Sequence, residues 1–274
     1  METRPIAFQI YSAREEAAKD LASTLKAVAQ IGYDGVEFAG FYGHSAEAVV
    51  QMLQDFHLEA LSSHVPIDLI EADMDQVIAF HKAIGCSYIA VPFLDEECRP
   101  GGPRFAKSLR TIANFGRLCA EAGITLLYHN HDFEFITISG QYGLDFIYDA
   151  IDSSVLQTEI DVCWVKYAGV DPAAYIRKYA GRCPVIHLKD YIGEKSDKPV
   201  YELLGQASQT NPNEKKFEFK PFGHGCQDVE SVLTASIESG AQWFVVEQDI
   251  STPYTPLEAA RMSMETLRKV GVKK

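Results

Sequence analysis

Histidines and carboxylates follow short apolar runs at four places between residues 128 and 249. The sequence reads YHNHDFEF at residues 128–135, EID at 159–161, HLKD at 187–190 and EQD at 247–249. Side chains of these two types would repel one another or lack partners if they converged without a cation. A divalent metal with mixed oxygen and nitrogen ligands joins such groups, so the pattern predicts one metal ion.

The mixture of ligand types narrows the choice of metal. Carboxylates outnumber imidazoles at these strand ends, which favours Mn²⁺ or Mg²⁺, while Co²⁺, Zn²⁺ and Fe²⁺ are also compatible. In the first half of the chain, Glu37 and His64 also end apolar runs. Both are therefore candidates for contacts to a bound substrate.

The elements that position these groups follow from the alternation of short apolar runs with longer amphipathic ones. The apolar runs predict strands over residues 6–10, 35–38, 58–65, 88–91, 124–129, 156–160, 183–188 and 243–247. The amphipathic stretches predict helices over about 15–29, 45–56, 68–84, 104–122, 143–151, 171–179, 227–239 and 255–270. Eight strand-then-helix units predict a parallel sheet with helical crossovers.

The length of the chain and the turn after its first predicted strand indicate whether the sheet is open or closed into a barrel. Eight units in 274 residues favour an α/β fold closed into a (β/α)8 TIM barrel, a single domain over residues 1–274. An open doubly wound sheet usually has a glycine-rich turn after its first strand, and residues 9–12 contain no glycine. The polar groups lie at the predicted carboxyl ends of strands, where barrels carry their active sites. A long loop is predicted at about 190–226.

Charge and composition argue against several kinds of partner. The net charge of −13 disfavours nucleic acid and anionic membranes, because the average surface repels both. The six cysteines form no CxxC pair, which is typical of a reduced, cytoplasmic protein. We expect no signal peptide and no membrane span, because no apolar segment is suitable for either. The composition leaves a homo-oligomer open.

Four motifs between residues 128 and 249 also carry a resemblance to a known family. They are YHNHDFEF at 128–135, Glu-x-Asp-x-x-Trp at 159–164, His-Leu-Lys-Asp at 187–190 and Val-Glu-Gln-Asp at 246–249. In order and spacing they resemble the sugar phosphate isomerase/epimerase family, which has a xylose-isomerase-like TIM barrel. The resemblance implies a metal-dependent sugar isomerase or epimerase of carbohydrate metabolism, whose partner is a small-molecule carbohydrate.

The resemblance also implies a ligand set, because the family takes one metal ligand from each of strands five to eight. Carried over, the ligands are Glu134, Asp161, His187 and Glu247. Many members carry the strand-five glutamate on the strand itself, where this chain has Tyr128 and His129. Glu134 must then fold back towards the metal, or His129 or His131 takes its place.

The implied chemistry is proton transfer beside a sugar carbonyl through a metal-stabilised enediolate. Two carboxylates on opposite faces, Glu134 and Glu247, would remove and return the proton in an epimerase, whereas one base gives aldose–ketose isomerisation. His131 and Lys189 complete the expected catalytic set. The expected substrate contacts are Glu37, His64, His129, Glu159, Trp164 and Asp190.

Three other functions are compatible with a barrel of this kind. β-Elimination from a keto-sugar, keto-inositol or 3-keto-glycoside begins with the same proton abstraction, so a metal-dependent dehydratase or lyase is the alternative. An apurinic endonuclease needs more histidines and a basic groove, which the acidic composition disfavours. A non-catalytic sugar-binding barrel would hold no metal. The lack of a glycine-rich phosphate cup favours a non-phosphorylated sugar.

Overall fold

A computed structural model of the protein describes residues 1–195 and 217–273. Eight parallel strands form its central sheet, in the order β3-β2-β1-β8-β7-β6-β5-β4. The strands are β1 (Ile6–Gln9), β2 (Gly35–Phe38), β3 (Glu59–Ser63), β4 (Tyr88–Val91), β5 (Thr125–His129), β6 (Gln157–Asp161), β7 (Val185–Leu188) and β8 (Trp243–Val246). Each predicted strand is therefore present, with slightly shorter bounds in most cases.

The two end strands of this order, β3 and β4, meet and close the sheet. The Val65 amide donates to the Ala90 carbonyl over 2.9 Å, and the Ser87 amide donates to the Leu61 carbonyl over 3.2 Å. His64 and Ala90 form a parallel bridge between them. The strands thus make a nearly closed barrel, which confirms the predicted (β/α)8 TIM fold.

Helices cover the outside of the barrel and connect successive strands. They are α1 (Arg14–Lys19), α2 (Leu21–Ile31), α3 (Ala46–Phe56), α4 (Ile67–Ala72), α5 (Met74–Ala83), α6 (Phe105–Ala122), α7 (Gly143–Ala150), α8 (Val162–Tyr167), α9 (Pro172–Lys178), α10 (Val229–Glu238) and α11 (Pro256–Lys269). Within residues 1–195 and 217–273, none is both long and apolar enough to cross a bilayer.

Two of the predicted helices are each divided by an aspartate. Asp20 separates α1 from α2 and Asp73 separates α4 from α5, with extended backbone at φ −158° and −162°. Each aspartate side chain accepts a hydrogen bond from a backbone amide of the following helix, at Ser23 and Gln76. Because this bond satisfies an amide that has no partner within the helix, the aspartate starts a new helix instead of continuing the old one.

The barrel interior begins with an apolar layer. It consists of Ala7, Leu61, Ala90, Leu127, Val185 and Val245. Alternate residues of a strand face the same side of a sheet, so the next inward positions lie two residues further along. On β5 and β7 these positions are His129 and His187, and Glu247 follows the end of β8. The polar residues therefore stand directly above an apolar floor.

The predicted loop at about 190–226 lies only partly within the described residues. Residues 196–216 fall outside them. The described parts contain an antiparallel ribbon in which Asp190–Ile192 pairs with Glu218–Lys220. Residues 221–227 then lead to α10.

Candidate active site

Four side chains from the β5–β8 side of the barrel meet near the carboxyl ends of the strands. They are His129, Asp161, His187 and Glu247, and their ligand atoms all lie within 4.8 Å of one another. The Nδ1 atom of His187 lies 3.2 Å from Oε2 of Glu247, and Nε2 of His129 lies 3.7 Å from Oδ2 of Asp161. None of the four is more than 5% exposed. We call these residues the upper cluster.

The two carboxylate oxygens of Asp161 face different surroundings, one the start of a helix and the other the upper cluster. It is the last residue of β6 and the N-cap of α8, and its Oδ1 atom accepts hydrogen bonds from the amides of Cys163 and Trp164. Its Oδ2 atom is buried and has no hydrogen-bond partner among the described residues. An unsatisfied buried carboxylate oxygen is costly, so this atom fits a position that a cation is meant to occupy.

The Asn130 side chain holds the backbone of Asp161 in place. Its Oδ1 accepts from the Asp161 amide over 3.0 Å, and its Nδ2 donates to the Asp161 carbonyl over 3.4 Å. The end of β5 is thereby tied to the end of β6. The sequence interpretation missed Asn130, although its place between two histidines of a motif was a usable signal.

A second group of polar side chains lies beside the upper cluster, towards β2 and β3. It contains Glu37, His64 and Glu159, which we call the lower cluster. The Nε2 atom of His64 lies 2.9 Å from Oε2 of Glu159 and 3.1 Å from Oε2 of Glu37. His64 and Glu159 also come within metal-ligand range of the two upper-cluster histidines. The sequence interpretation assigned all three to substrate contacts, but the two glutamates are fully buried.

Burial raises the pKa of two carboxyl groups of the site, whereas neighbouring positive charges lower the pKa of a third. Loss of hydration raises the pKa of both Asp161 and Glu159 to about 7. Burial acts in the same direction on Glu37, but the charges of His64 and His187 overcome it and hold its pKa well below the usual value. Conversely, burial disfavours a charged His64, yet the two glutamates raise its pKa to about 10. A nearby dication would stabilise the charged form of the carboxyl groups whose pKa burial raises.

A buried lysine adjoins the upper cluster. The Nζ atom of Lys189 lies 2.6 Å from Oδ1 of Asp249, 3.1 Å from Oε2 of Glu247 and 3.7 Å from Oδ2 of Asp161. The side chain is 1% exposed, and its ammonium also lies 5.2 Å from the centre of the Trp164 ring. A buried ammonium persists when it is paired in this way. Asp249 was absent from the predicted site residues, although it ends the last motif.

Glu134, expected as the strand-five ligand, lies outside both clusters. Its carboxylate accepts hydrogen bonds from the Tyr128 hydroxyl over 2.7 Å and from the His131 amide over 2.8 Å. Tyr128 precedes His129 on β5, and neighbouring residues of a strand face opposite sides of the sheet. The carboxylate therefore binds on the outer face of β5, and burial there raises its pKa to about 7. Of the two histidines left open at strand five, His129 enters the cluster.

The predicted catalytic histidine, His131, stands beside the upper cluster among aromatic rings. It stacks at 5.2 Å on Phe133 and at 5.3 Å on Trp164, and its ring centre lies 5.4 Å from that of His129. Burial and the nearby Lys189 charge hold its pKa well below the usual value. His131 is therefore a neutral imidazole at neutral pH.

Asp190, a predicted substrate contact, instead organises backbone. Its buried carboxylate accepts hydrogen bonds from five backbone amides, those of Tyr191, Gly223, Gly225, Cys226 and Gln227. Five donors use the capacity of both oxygens. Gly225 is required here, because a Cβ atom would come within 2.3 Å of the Asp190 carboxylate. The structure therefore assigns Asp190 to holding the turn that follows the ribbon.

A family model described as xylose isomerase-like TIM barrel matches residues 25–270 of the chain. The chain belongs to this family. No curated protein matches it. Among solved structures, this xylose isomerase-like barrel is similar to a sugar phosphate isomerase/epimerase from Parabacteroides distasonis, with a TM-score of 0.77, 19% identity, and 100% of this chain and 96% of that chain covered.

Two further solved structures share the fold of this xylose isomerase-like barrel. One is the probable 3-DHS dehydratase AsbF from Bacillus anthracis, with a TM-score of 0.71, 12% identity and coverage of 98% of this chain and 99% of that chain. The other is the IOLI protein with a binding zinc atom, with a TM-score of 0.71, 15% identity and 97% of each chain covered. At these identities the likeness shows the fold alone.

Proposed function

We propose that this xylose isomerase-like barrel is a divalent-metal-dependent isomerase or epimerase of a non-phosphorylated sugar, acting by proton transfer beside a carbonyl. One observation carries the proposal: two carboxylates and two imidazoles converge at the carboxyl ends of β5–β8, with Oδ2 of Asp161 buried and unsatisfied. A similar structure whose name is sugar phosphate isomerase/epimerase supports this reaction class.

The donor set supports a borderline dication. The upper cluster has one more imidazole and one carboxylate fewer than the expected ligand set, because His129 stands where Glu134 was expected. Mixed nitrogen and oxygen donors suit Mn²⁺, Co²⁺, Zn²⁺ and Fe²⁺ better than Mg²⁺. When bound, the metal would supply positive charge beside the hydroxyl and carbonyl oxygens of a ketose, where negative charge develops.

Two groups of the chain can move the proton. His131 is neutral and can accept a proton from the carbon next to the carbonyl, whereas the Lys189 ammonium can donate a proton back to that carbon. His131 follows β5 and Lys189 follows β7, so the two approach the site from different sides of β6. Such an arrangement supports removal and return of a proton at different faces of the substrate, as epimerisation requires.

Hydrogen exchange at the reacting carbon tests the proposal. The purified protein, stripped and reloaded with Mn²⁺, Co²⁺, Zn²⁺ or Mg²⁺, is incubated in D₂O with a panel of ketoses and keto-inositols and followed by NMR. We expect metal-dependent deuterium incorporation with a changed stereocentre or carbonyl position, lost in Asp161→Asn. Asp145→Asn is the matched control, because this buried carboxylate on α7 binds the Tyr175 and Tyr179 hydroxyls outside both clusters. A metal-loaded protein without exchange on any substrate would refute the reaction class.

The alternative function, β-elimination by a dehydratase or lyase, is supported by Lys189. Its ammonium, held 2.6 Å from Asp249, is placed to protonate a leaving hydroxyl or glycosidic oxygen. A probable 3-DHS dehydratase is among the similar structures. The same NMR panel, extended to 3-keto-glycosides, separates the two: loss of water or of the aglycone indicates elimination, whereas retention of all atoms indicates isomerisation.

A further inference from the structure

In each of the two histidines of the upper cluster, both ring nitrogens lie close to a carboxylate. On His187, Nδ1 faces Glu247 of the upper cluster at 3.2 Å, while Nε2 lies 2.7 Å from Oε2 of Glu37. On His129, Nε2 faces Asp161 at 3.7 Å, while Nδ1 lies 3.3 Å from Oε2 of Glu159. Each imidazole thus has one nitrogen on the metal side and the other against a fully buried glutamate.

The two glutamates are themselves held by the other strands. His64, which follows β3, lies with Nε2 between Oε2 of Glu37 and Oε2 of Glu159 and joins them. Gln9 on β1 donates from Nε2 to Oε2 of Glu37 over 2.7 Å. The side-chain oxygen Oε1 of Gln9 accepts a hydrogen bond from the backbone amide of Tyr11. The side-chain nitrogen Nε2 of Gln9 is therefore the end that faces Glu37.

A second metal, held by His64 and Glu159 of the lower cluster together with His129 and His187, is the competing interpretation, because these four residues lie within ligand range of one another. If that site and the upper cluster were both filled, His129 and His187 would each have to bind one metal through each nitrogen. A neutral imidazole has one nitrogen that carries a proton, and only the other can ligate. Two doubly deprotonated bridges would be required, so the contacts favour one metal with carboxylates behind its histidines.

We propose that Glu37 and Glu159 are positioning residues that orient His187 and His129 towards a single metal, with His64 and Gln9 holding the two carboxylates. This inference rests on the proposed metal site. Each glutamate lies against the nitrogen that faces away from the metal and would accept its N–H once the metal is bound, which leaves Nδ1 of His187 and Nε2 of His129 as ligands. In such carboxylate–histidine–metal arrangements, loss of the carboxylate typically weakens metal affinity by about 10- to 100-fold.

Metal titration of the full chain tests the inference. Co²⁺ binding is measured by competition with a chromophoric chelator, together with the visible absorption of the bound Co²⁺, for the wild type, Glu37→Gln, Glu159→Gln and Gln9→Leu. We expect one Co²⁺ per chain throughout, affinity weakened about 10- to 100-fold by each glutamate substitution and less by Gln9→Leu, and an altered Co²⁺ spectrum. Asp145→Asn should match the wild type in both readouts.

Three outcomes would overturn the inference, and they differ from one another. Wild-type affinity and spectrum in both Glu37→Gln and Glu159→Gln would show that the glutamates do not orient the ligands. Two Co²⁺ per chain, with one lost in His64→Gln, would place a second metal in the lower cluster. A wild type that binds no Co²⁺, Mn²⁺ or Zn²⁺ would remove the proposed function as well. Thermal unfolding of each variant, followed by circular dichroism, identifies any that lose affinity by unfolding.

Discussion

The two halves of the barrel contribute differently to the site. Strands β5–β8 supply all four members of the upper cluster and lead into Lys189, whereas β1–β3 supply Gln9, Glu37 and His64. The β4 strand ends in buried Val91 and adds no charged group. The upper cluster and Lys189 therefore belong to one half of the barrel, while Glu37 and His64 of the other half contact His187 and Glu159.

The difference follows from how the side chains reach the centre. Glu159 stands on β6 two residues before Asp161, so one strand serves both clusters at successive inward positions. The glutamate faces His64 and His129, and the aspartate faces the upper cluster. Charged residues on the same side of one strand can therefore have separate roles, set by their depth in the barrel.

The largest effect should come from the half that presents ligands. Asp161→Asn removes the charge of a carboxylate whose buried Oδ2 has no hydrogen-bond partner among the described residues, so metal affinity should fall by more than the roughly 100-fold typical of an outer-shell loss. Isothermal titration with Mn²⁺ and Zn²⁺ measures this. Asp145→Asn serves as the control, and equal affinities in the two variants would contradict the assignment of the upper cluster.

The next largest effect separates proton transfer from metal binding within the same half. Lys189→Arg keeps the positive charge beside Glu247 and Asp249, but a guanidinium does not release its proton. Turnover should therefore drop by about 10²–10⁴-fold while metal affinity stays near that of the wild type. Steady-state kinetics and metal titration on one preparation measure both, and full turnover in Lys189→Arg would exclude a proton-carrying role.

A smaller effect is expected where β5 supports β6. Asn130→Ala removes both hydrogen bonds to the Asp161 backbone and leaves buried amide and carbonyl groups unsatisfied, at a cost of about 1–3 kcal/mol in the free energy of unfolding. Metal affinity should weaken less than in Asp161→Asn. Urea unfolding and metal titration measure the two effects. Asn114→Ala, at an exposed position on α6, is the control and should change neither.

The smallest effect on the metal should come from Glu134, which lies on the outer face of β5. Its pKa rises from 4.5 in the unfolded chain to about 7 in the folded one, so its neutral form favours folding. The stability it contributes is complete below pH 4.5 and is lost as the pH rises through 7, at about 1.4 kcal/mol per pH unit.

Glu134→Gln imitates the neutral form and should therefore gain stability relative to the wild type between pH 5 and pH 8. Urea unfolding at both pH values measures this gain. Metal affinity should be unchanged, because the carboxylate binds Tyr128 and the His131 amide. A variant that lost the metal would instead restore Glu134 as the strand-five ligand.

Much of the barrel was predictable because alternating strand and helix patterns are local properties of the sequence. Asp161, His187 and Glu247 were identified because each directly ends or follows an apolar strand, where the backbone direction leaves few alternatives. Gln9 and Asn130 were missed, because a neutral amide gives no charge signal and its partners lie 28 and 31 residues away.

The Glu134 prediction shows where local reasoning stops. Its distance from β5 was visible in the sequence, and the choice among Glu134, His129 and His131 stayed open for that reason. The short helical turn Phe133–Phe135 carries the carboxylate back to Tyr128. The Glu134 side chain therefore lies on the outer side of β5, where the buried Tyr128 hydroxyl binds it.

The sequence by itself determined the eight-unit barrel, the acidic surface and the concentration of histidines and carboxylates at the ends of β5–β8, because each depends on residue type and periodicity. Only the tertiary structure decided which nitrogen of His129 and of His187 faces Asp161 and Glu247. The opposite nitrogens lie against Glu159 and Glu37, which stand on other strands, and no spacing along the chain encodes how a side chain is oriented towards another strand.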